Sequence, residues 1–415
     1  MPMSSFMSEC LTNPRFGYYA TKSGDAILGA RGDFVTSPEI SPMFGEVITV
    51  YLVDKWRRLG QPTSLRLLEL GPGRATLMAD ILTRSRRSFP DFFNAIGSLS
   101  LVEVSPSLRQ TQLDRLASLL PQHASLAHLD SVNDFDDDSA SASAASSGAP
   151  PPPLNDLLIL SHEFYDCLPA NVYEQLDGVW KEKYLAWDAD GDRFVFVHRK
   201  LDENVRRLFL DHRLIAPGDD VVNRKTTDKG LLGSRATSVA SNKYLEVSME
   251  ALRTFEHSVT LMQRRGGAQL LIDYGNLSVN YPSLRFILGH EIVTSVDSDY
   301  IKANVGNVDL SVDVHFGPLM AIAHKMGLTE TFLSSQAAFL FRNGLQPLLF
   351  RRLAACTDES TAARLVADFK RLTDDDQMGR VYKVLECTHD ARTAPNAPSA
   401  PSAAKPPAIP KHRKR

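Results

Sequence analysis

The sequence predicts an α/β fold, an open and mostly parallel sheet with helices on both faces. Three observations carry that expectation. Short, nearly continuous apolar runs recur at Leu65 to Leu70, Leu99 to Val104, Leu157 to Leu160 and Ala268 to Ile272, the composition that parallel strands buried on both faces require. Stretches of helical spacing are interleaved with them, from about Arg74 to Phe89 after the first run and from Met320 to Met326 after the last. The first run also ends in Leu70-Gly71-Pro72-Gly73-Arg74, a Gly-x-Gly turn from strand to helix of the kind that brings backbone close to a ligand in such folds.

The elements follow in order. After the second run, Ser125 to Leu129 reads as a third strand. Asp136 to Pro153 holds Asp, Ser, Ala and Pro with almost nothing apolar, too little to offset its ordering entropy, so residues 136–153 read as a disordered insertion. Strand patterns resume beyond it, which places the insertion inside one domain. From Val172 to His198 the period changes to two, with Asp-Gly turn signals between Val172 to Leu176, Trp180 to Trp187 and Arg193 to Val197, an antiparallel meander. The Asp188, Asp190 and Asp192 cluster lacks the distant Glu of a calcium loop and reads as a solvated turn. With the polar link Asp219 to Ser241, residues 171–243 form an expected β-rich subdomain on the substrate side, inserted into the main domain. Leu245 to Arg265 has helical spacing, and Ala268 to Ile272 is a buried strand ending in Asp273-Tyr274-Gly275. Thr361 to Leu372 reads as a helix and Arg380 to Cys387 as a last strand. One folded domain over 1–390 is therefore expected, with 391–415 an Ala/Pro-rich disordered tail that ends in basic residues.

Composition narrows the function classes. With 415 residues, 43% hydrophobic, the chain can build a large core. A net charge of −3 and an isoelectric point near 6.4 supply no overall basic field for nucleic acid. Cys10, Cys167, Cys356 and Cys387 are widely spaced and suggest neither a disulfide framework nor a metal site. No apolar run reaches the roughly 18 to 20 residues of a membrane span, and neither a signal-peptide core nor an Arg-rich transit helix is visible.

The glycine turn carries the chemistry. Gly71 permits a tight turn, Gly73 lets a cofactor approach the backbone, and Pro72 lies between them. Glu69, at the strand tip, can accept hydrogen bonds from an ammonium group, which S-adenosylmethionine carries and a dinucleotide lacks. A dinucleotide fingerprint places a third glycine where Thr76 stands. Glu103, after the second strand, can accept both ribose hydroxyls, a feature common to both cofactor classes. The residues favour S-adenosylmethionine and leave the dinucleotide reading open. Asp130 and Ser131, after strand three, are candidates for the adenine side.

Other segments extend the pattern. Asn13-Pro14 with Gly17-Tyr18-Tyr19, Gly32 to Ser41, Glu69 to Arg74, Glu163-Phe164-Tyr165-Asp166 with Leu168-Pro169, Leu271 to Gly275, Gly289-His290, and Met378-Gly379 with Tyr382 to Leu385 together resemble the MidA-like methyltransferases. The resemblance runs from about residue 2 to 388. It implies a class I, Rossmann-like methyltransferase fold with an N-terminal lid, and S-adenosylmethionine as cofactor. It further implies mitochondrial matrix localisation and symmetric dimethylation of an arginine on a complex I subunit during assembly, with a protein as substrate and partner. A noncatalytic assembly chaperone that keeps the fold is the competing reading.

Arginine methylation sets demands on the acceptor side. A guanidinium stays protonated at ordinary pH, so carboxylates must hold it and bias its charge toward one nitrogen. Glu163 and Asp166 follow the fourth strand at the carboxyl edge of the sheet and are the first catalytic candidates. Glu39 is a third, in the lid segment, where Asp33 and Phe34 are expected beside the cofactor. Asp273 and Tyr274 are expected to shape the acceptor pocket. The chain departs from the family pattern at Ala75, where glycine is usual, at His162, where Asn is usual, and at His315, where Asp is common. The Ala75 methyl is compatible with a helical backbone there.

Overall fold

A computed structural model describes residues 1–22, 27, 35–135, 154–212, 214–215 and 244–393. The segments 136–153 and 394–415, the whole of the expected link 219–241, and the lid residues Asp33 and Phe34 lie outside the described residues.

The central sheet is built on β1 (Leu65–Leu70), β2 (Ile96–Val102), β3 (Ser125–Leu129), β4 (Leu157–His162), β9 (Gly267–Asn276), β14 (Glu330–Ser335) and β15 (Tyr382–His389), in the order β14-β15-β9-β4-β1-β2-β3. Two-residue β13 (Val314–His315) adds to β9. Pairing is parallel from β9 to β3, and β15 alone runs against its neighbours. Between β4 and β1 the chain reverses its direction of winding, β1 to β3 going one way and β4 to β9 the other. Such a switch point opens a crevice at the carboxyl ends of the strands.

Alternate residues of β1 feed two cores. Leu65 and Leu67 pack with the helices Pro42–Arg58, Thr76–Ser88, Gln336–Arg342 and Leu345–Ala354, while Leu68 and Leu70 face Met249–Arg265 and Phe316–Lys325. Burial on both faces is the reason the strand is apolar throughout. Helix Pro42–Arg58 follows Ser41, and its β-branched run Val47 to Val53, which taken alone resembles a strand, is held helical by the tertiary packing that buries it.

There are also two smaller antiparallel sheets, of which the second contributes Arg285, Ile287, Ile292 and Asp309 to the crevice. β5 (Asn171–Leu176), β6 (Val179–Asp188), β7 (Arg193–Lys200) and β8 (Tyr244–Val247) pair in the order β7-β6-β5-β8. The segment from Leu245 therefore begins as a strand and not as the expected helix. The helix starts at Met249, where Ser248 accepts from the Ala251 N–H at 3.1 Å. The second sheet comprises β10 (Arg285–Leu288), β11 (Glu291–Val293) and β12 (Asp309–Ser311), and with the N-terminal helix Met3–Thr12 it closes a third core.

Candidate active site

β1 ends against the crevice in Glu69, 2% exposed, and burial pushes its carboxyl up to about 8. Its Oε2 is buried without a hydrogen-bond partner among the described residues. A buried acceptor that lacks a donor is costly unless a ligand supplies one. An ammonium group meets that need. Beyond it Gly71 and Gly73 adopt φ of 63° and 52°, left-handed backbone suited to glycine. A Cβ on Gly71 would also come within 2.6 Å of Phe164 Cδ2.

Ala75 continues this left-handed path at φ 56° and ψ 29°. The expectation of a helical backbone there is corrected, since the right-handed helix begins only at Thr76. No side chain caps its first turn among the described residues, so the N–H groups of that turn remain available for a ligand. Thr76 Oγ1 instead donates to Glu39 Oε1 at 2.5 Å and accepts from Arg115. Glu39, on the short helix Ser37–Ile40, is thereby joined to the cofactor side of the crevice.

Glu103 follows β2 and is 8% exposed. Its Oε1 accepts from the Ser105 N–H at 2.9 Å and its Oε2 from Gln112 at 3.2 Å. Each oxygen keeps a lone pair for a sugar hydroxyl. Asp130 pairs outward with Arg109 at 2.5 Å, and its carboxylate is 82% exposed. Ser131 caps the turn Val132–Asp134. Both still border the cavity.

The acceptor side is formed by the loop after β4. Glu163 has a left-handed backbone, φ 51°, a strained conformation for a non-glycine residue. Burial, then the neighbouring Asp166, raises its carboxyl to about 8, opposed by hydrogen bonds from the Tyr382 hydroxyl and the Ser37 N–H. Burial also raises the Asp166 carboxyl, while Tyr274 and Arg285 oppose the shift. The Tyr274 hydroxyl donates to Asp166 Oδ2. Glu163 Oε1 and Asp166 Oδ1 are both buried without hydrogen-bond partners among the described residues.

Asp273 has a different part from the one expected. It is fully buried and does not line the cavity. Its Oδ2 accepts from the Phe164, Tyr165 and Asp166 N–H groups at 3.2, 3.0 and 3.3 Å, and its Oδ1 from the Tyr274 N–H at 2.9 Å. Asp273 therefore fixes the loop that carries Glu163 and Asp166.

Apart from Asp273, the nominated site residues within the described residues border one cavity of about 650 Å³: Glu39, Glu69, Gly71, Pro72, Gly73, Glu103, Asp130, Ser131, Glu163, Asp166 and Tyr274. That volume suits a small-molecule cofactor with room for an acceptor side chain. His162 also borders it, its ring edge-on to Phe44 and stacked at 6.4 Å with Tyr382. Burial lowers its ring to about 3, so it is neutral. His315 lies away from this cavity, in a separate small one. Sequence reasoning assigned no site role to Gln112, Arg285 or Tyr382. Tyr382 belonged to a matching segment and could have been found, while Gln112 has no local signature.

The family profile of S-adenosyl-L-methionine-dependent methyltransferases matches residues 47–333. The chain belongs to this methyltransferase family. A relative in Drosophila melanogaster, a mitochondrial "Protein arginine methyltransferase NDUFAF7 homolog", is 30% identical over 93% of this chain and 80% of its own length. The Danio rerio protein, "Protein arginine methyltransferase NDUFAF7, mitochondrial", is 28% identical over 94% of this chain and 84% of its own. Among solved structures, a superfamily member from Burkholderia thailandensis bound to S-adenosyl-homocysteine is 20% identical, with a TM-score of 0.67 over 94% of this chain and 88% of that one. The methyltransferase fold is thus shared across nearly the whole chain. Within the family's chemistry, Glu69, whose Oε2 has no partner among the described residues, the two left-handed glycines and Glu103 are the residues that fit S-adenosylmethionine.

Proposed function

We propose that this methyltransferase is a mitochondrial enzyme that symmetrically dimethylates an arginine on a subunit of respiratory complex I during assembly. The printed names of its relatives support the arginine and the mitochondrial address. The observation that carries the reading is the pair of buried acceptors without partners among the described residues, Glu163 Oε1 and Asp166 Oδ1, bordering the same cavity as Glu69.

A guanidinium offers five N–H donors in a planar fork and is the cation that two such oxygens match. When bound, S-adenosylmethionine supplies an activated methyl group, so the protein's task is alignment in a dry site. Glu163 and Asp166 hold the acceptor and draw its positive charge toward themselves. Tyr274 fixes Asp166 through its hydroxyl, and its ring supports the Arg285 guanidinium at 4.3 Å. One guanidinium proton must leave for each methyl gained. Glu163, raised by burial, is suited to take it at Oε1.

The test replaces Glu163 with Gln. Glu163→Gln is expected to keep calorimetric affinity for S-adenosylmethionine within about threefold while methyl transfer to complex I subunits, followed by mass spectrometry, falls at least about 100-fold. Unchanged turnover in this variant would remove Glu163 from the mechanism.

A further inference from the structure

Gln112 lies on helix Pro106–Leu116 and is completely buried. Its Nε2 donates to the Gly73 carbonyl at 2.7 Å and to Glu103 Oε2 at 3.2 Å. Its Oε1 is 2.8 Å from His128 Nε2, on β3. The partners decide the orientation of the amide. Carbonyl and carboxylate only accept, so Nε2 must face them, and Oε1 then requires the His128 tautomer with its proton on Nε2. One side chain thus joins the glycine turn after β1 to the acid after β2.

We infer that Gln112 is a positioning residue for the cofactor, a clamp that holds Glu103 aimed at the ribose and the Gly73 turn at a matched distance. The inference rests on the cofactor site described above and extends it to a residue that touches two of its parts without bordering the cavity itself. Glu103 otherwise has backbone donors, the Ser105 N–H at 2.9 Å on its other oxygen and the Val104 N–H, a contact with the following turn that restrains one side of the carboxylate. Without Gln112 the carboxylate can rotate about that contact, and the carbonyl of Gly73 loses its buried donor. His128 acts one step further out, by fixing the amide. His128 is only partly buried, and Arg109 is the cation near it.

The clamp makes a prediction that general destabilisation does not. Binding of S-adenosylhomocysteine and of its 2′-deoxyribose analogue to the full chain is measured by calorimetry. Intact protein is expected to favour the ribose form by at least about tenfold, the scale of a hydrogen bond to a charged group. Gln112→Ala should weaken S-adenosylhomocysteine about 10- to 100-fold and reduce the preference for ribose to within about threefold, because Glu103 is no longer aimed. His128→Ala removes the donor that fixes the Gln112 amide while leaving Gln112 in place, and should lower the ribose preference at least about threefold; an unchanged preference in this variant overturns the clamp, which covers the case of a Gln112 variant that fails to fold. Equal weakening of both ligands by Gln112→Ala, with ribose preference intact, overturns the clamp, as does unchanged affinity. Failure of the unaltered protein to bind S-adenosylhomocysteine would instead overturn the cofactor assignment.

Discussion

Ala75 places a buried methyl on left-handed backbone beside the cofactor turn, where the family pattern has glycine. An L residue other than glycine is disfavoured in this region by about 1–2 kcal/mol, so Ala75→Gly is expected to stabilise the protein by about 1 kcal/mol after glycine's greater unfolded-state entropy is subtracted. Chemical denaturation of both forms checks the sign. A loss of stability would mean that the buried methyl contributes more packing than the backbone costs. His162 has a milder consequence. It is neutral and held between Phe44 and Tyr382, so replacing the family's Asn with histidine adds no charge beside Glu163, from which its Nε2 lies 3.5 Å away.

At the level of elements, the loop after β4 is governed by a residue on its neighbour, β9. Asp273 accepts four backbone N–H groups, three of them from consecutive loop residues Phe164 to Asp166. Asp273→Ala leaves those donors without their acceptor at a cost of about 1–3 kcal/mol each where water cannot reach them. A total loss of at least about 3 kcal/mol is expected in denaturant titration, together with loss of methyl transfer. Asp273→Asn retains one carbonyl oxygen and should lose less. A nearly neutral Asp273→Ala would sink this account of the loop. The same loop explains Gly71, whose missing Cβ leaves space for Phe164, so the cofactor turn and the acceptor loop pack directly on each other.

For the whole molecule, concentrating buried acids at one crevice has a thermodynamic consequence. Glu69 and Glu163 both rise from 4.5 to about 8 in the folded protein, so the fold binds protons that the unfolded chain releases. Their stabilising contribution is complete below about pH 4.5 and is lost as pH climbs through 8. Comparing the cofactor-free protein with a Glu69→Gln, Glu163→Gln double variant isolates this term. The variant's Tm should gain on the unaltered protein by several degrees or so between pH 5 and pH 8. A constant difference across that range would refute the linkage. Ligands that supply an ammonium or a guanidinium reverse the loss, because they bind the ionised forms.

Several of these features were legible from local pattern. The strand Leu65–Leu70, its glycine turn and the acids after successive strands are written in neighbouring residues, because turn chemistry and strand burial act over a few positions. Helix Pro42–Arg58 is less plainly written, because its β-branched residues run against its state until two layers pack around it. The roles of Gln112 and Asp273 were hidden, since their partners lie 39 and 9 residues away in one case and more than 100 in the other.

By itself the chain therefore determined which residues could meet a cofactor and an acceptor. Only the tertiary structure decided which carboxylates are left with open acceptors, which are consumed in holding loops, and that Ala75 is left-handed. The physical reason is that hydrogen-bond satisfaction and burial belong to groups brought together from distant strands, and no local spacing encodes them.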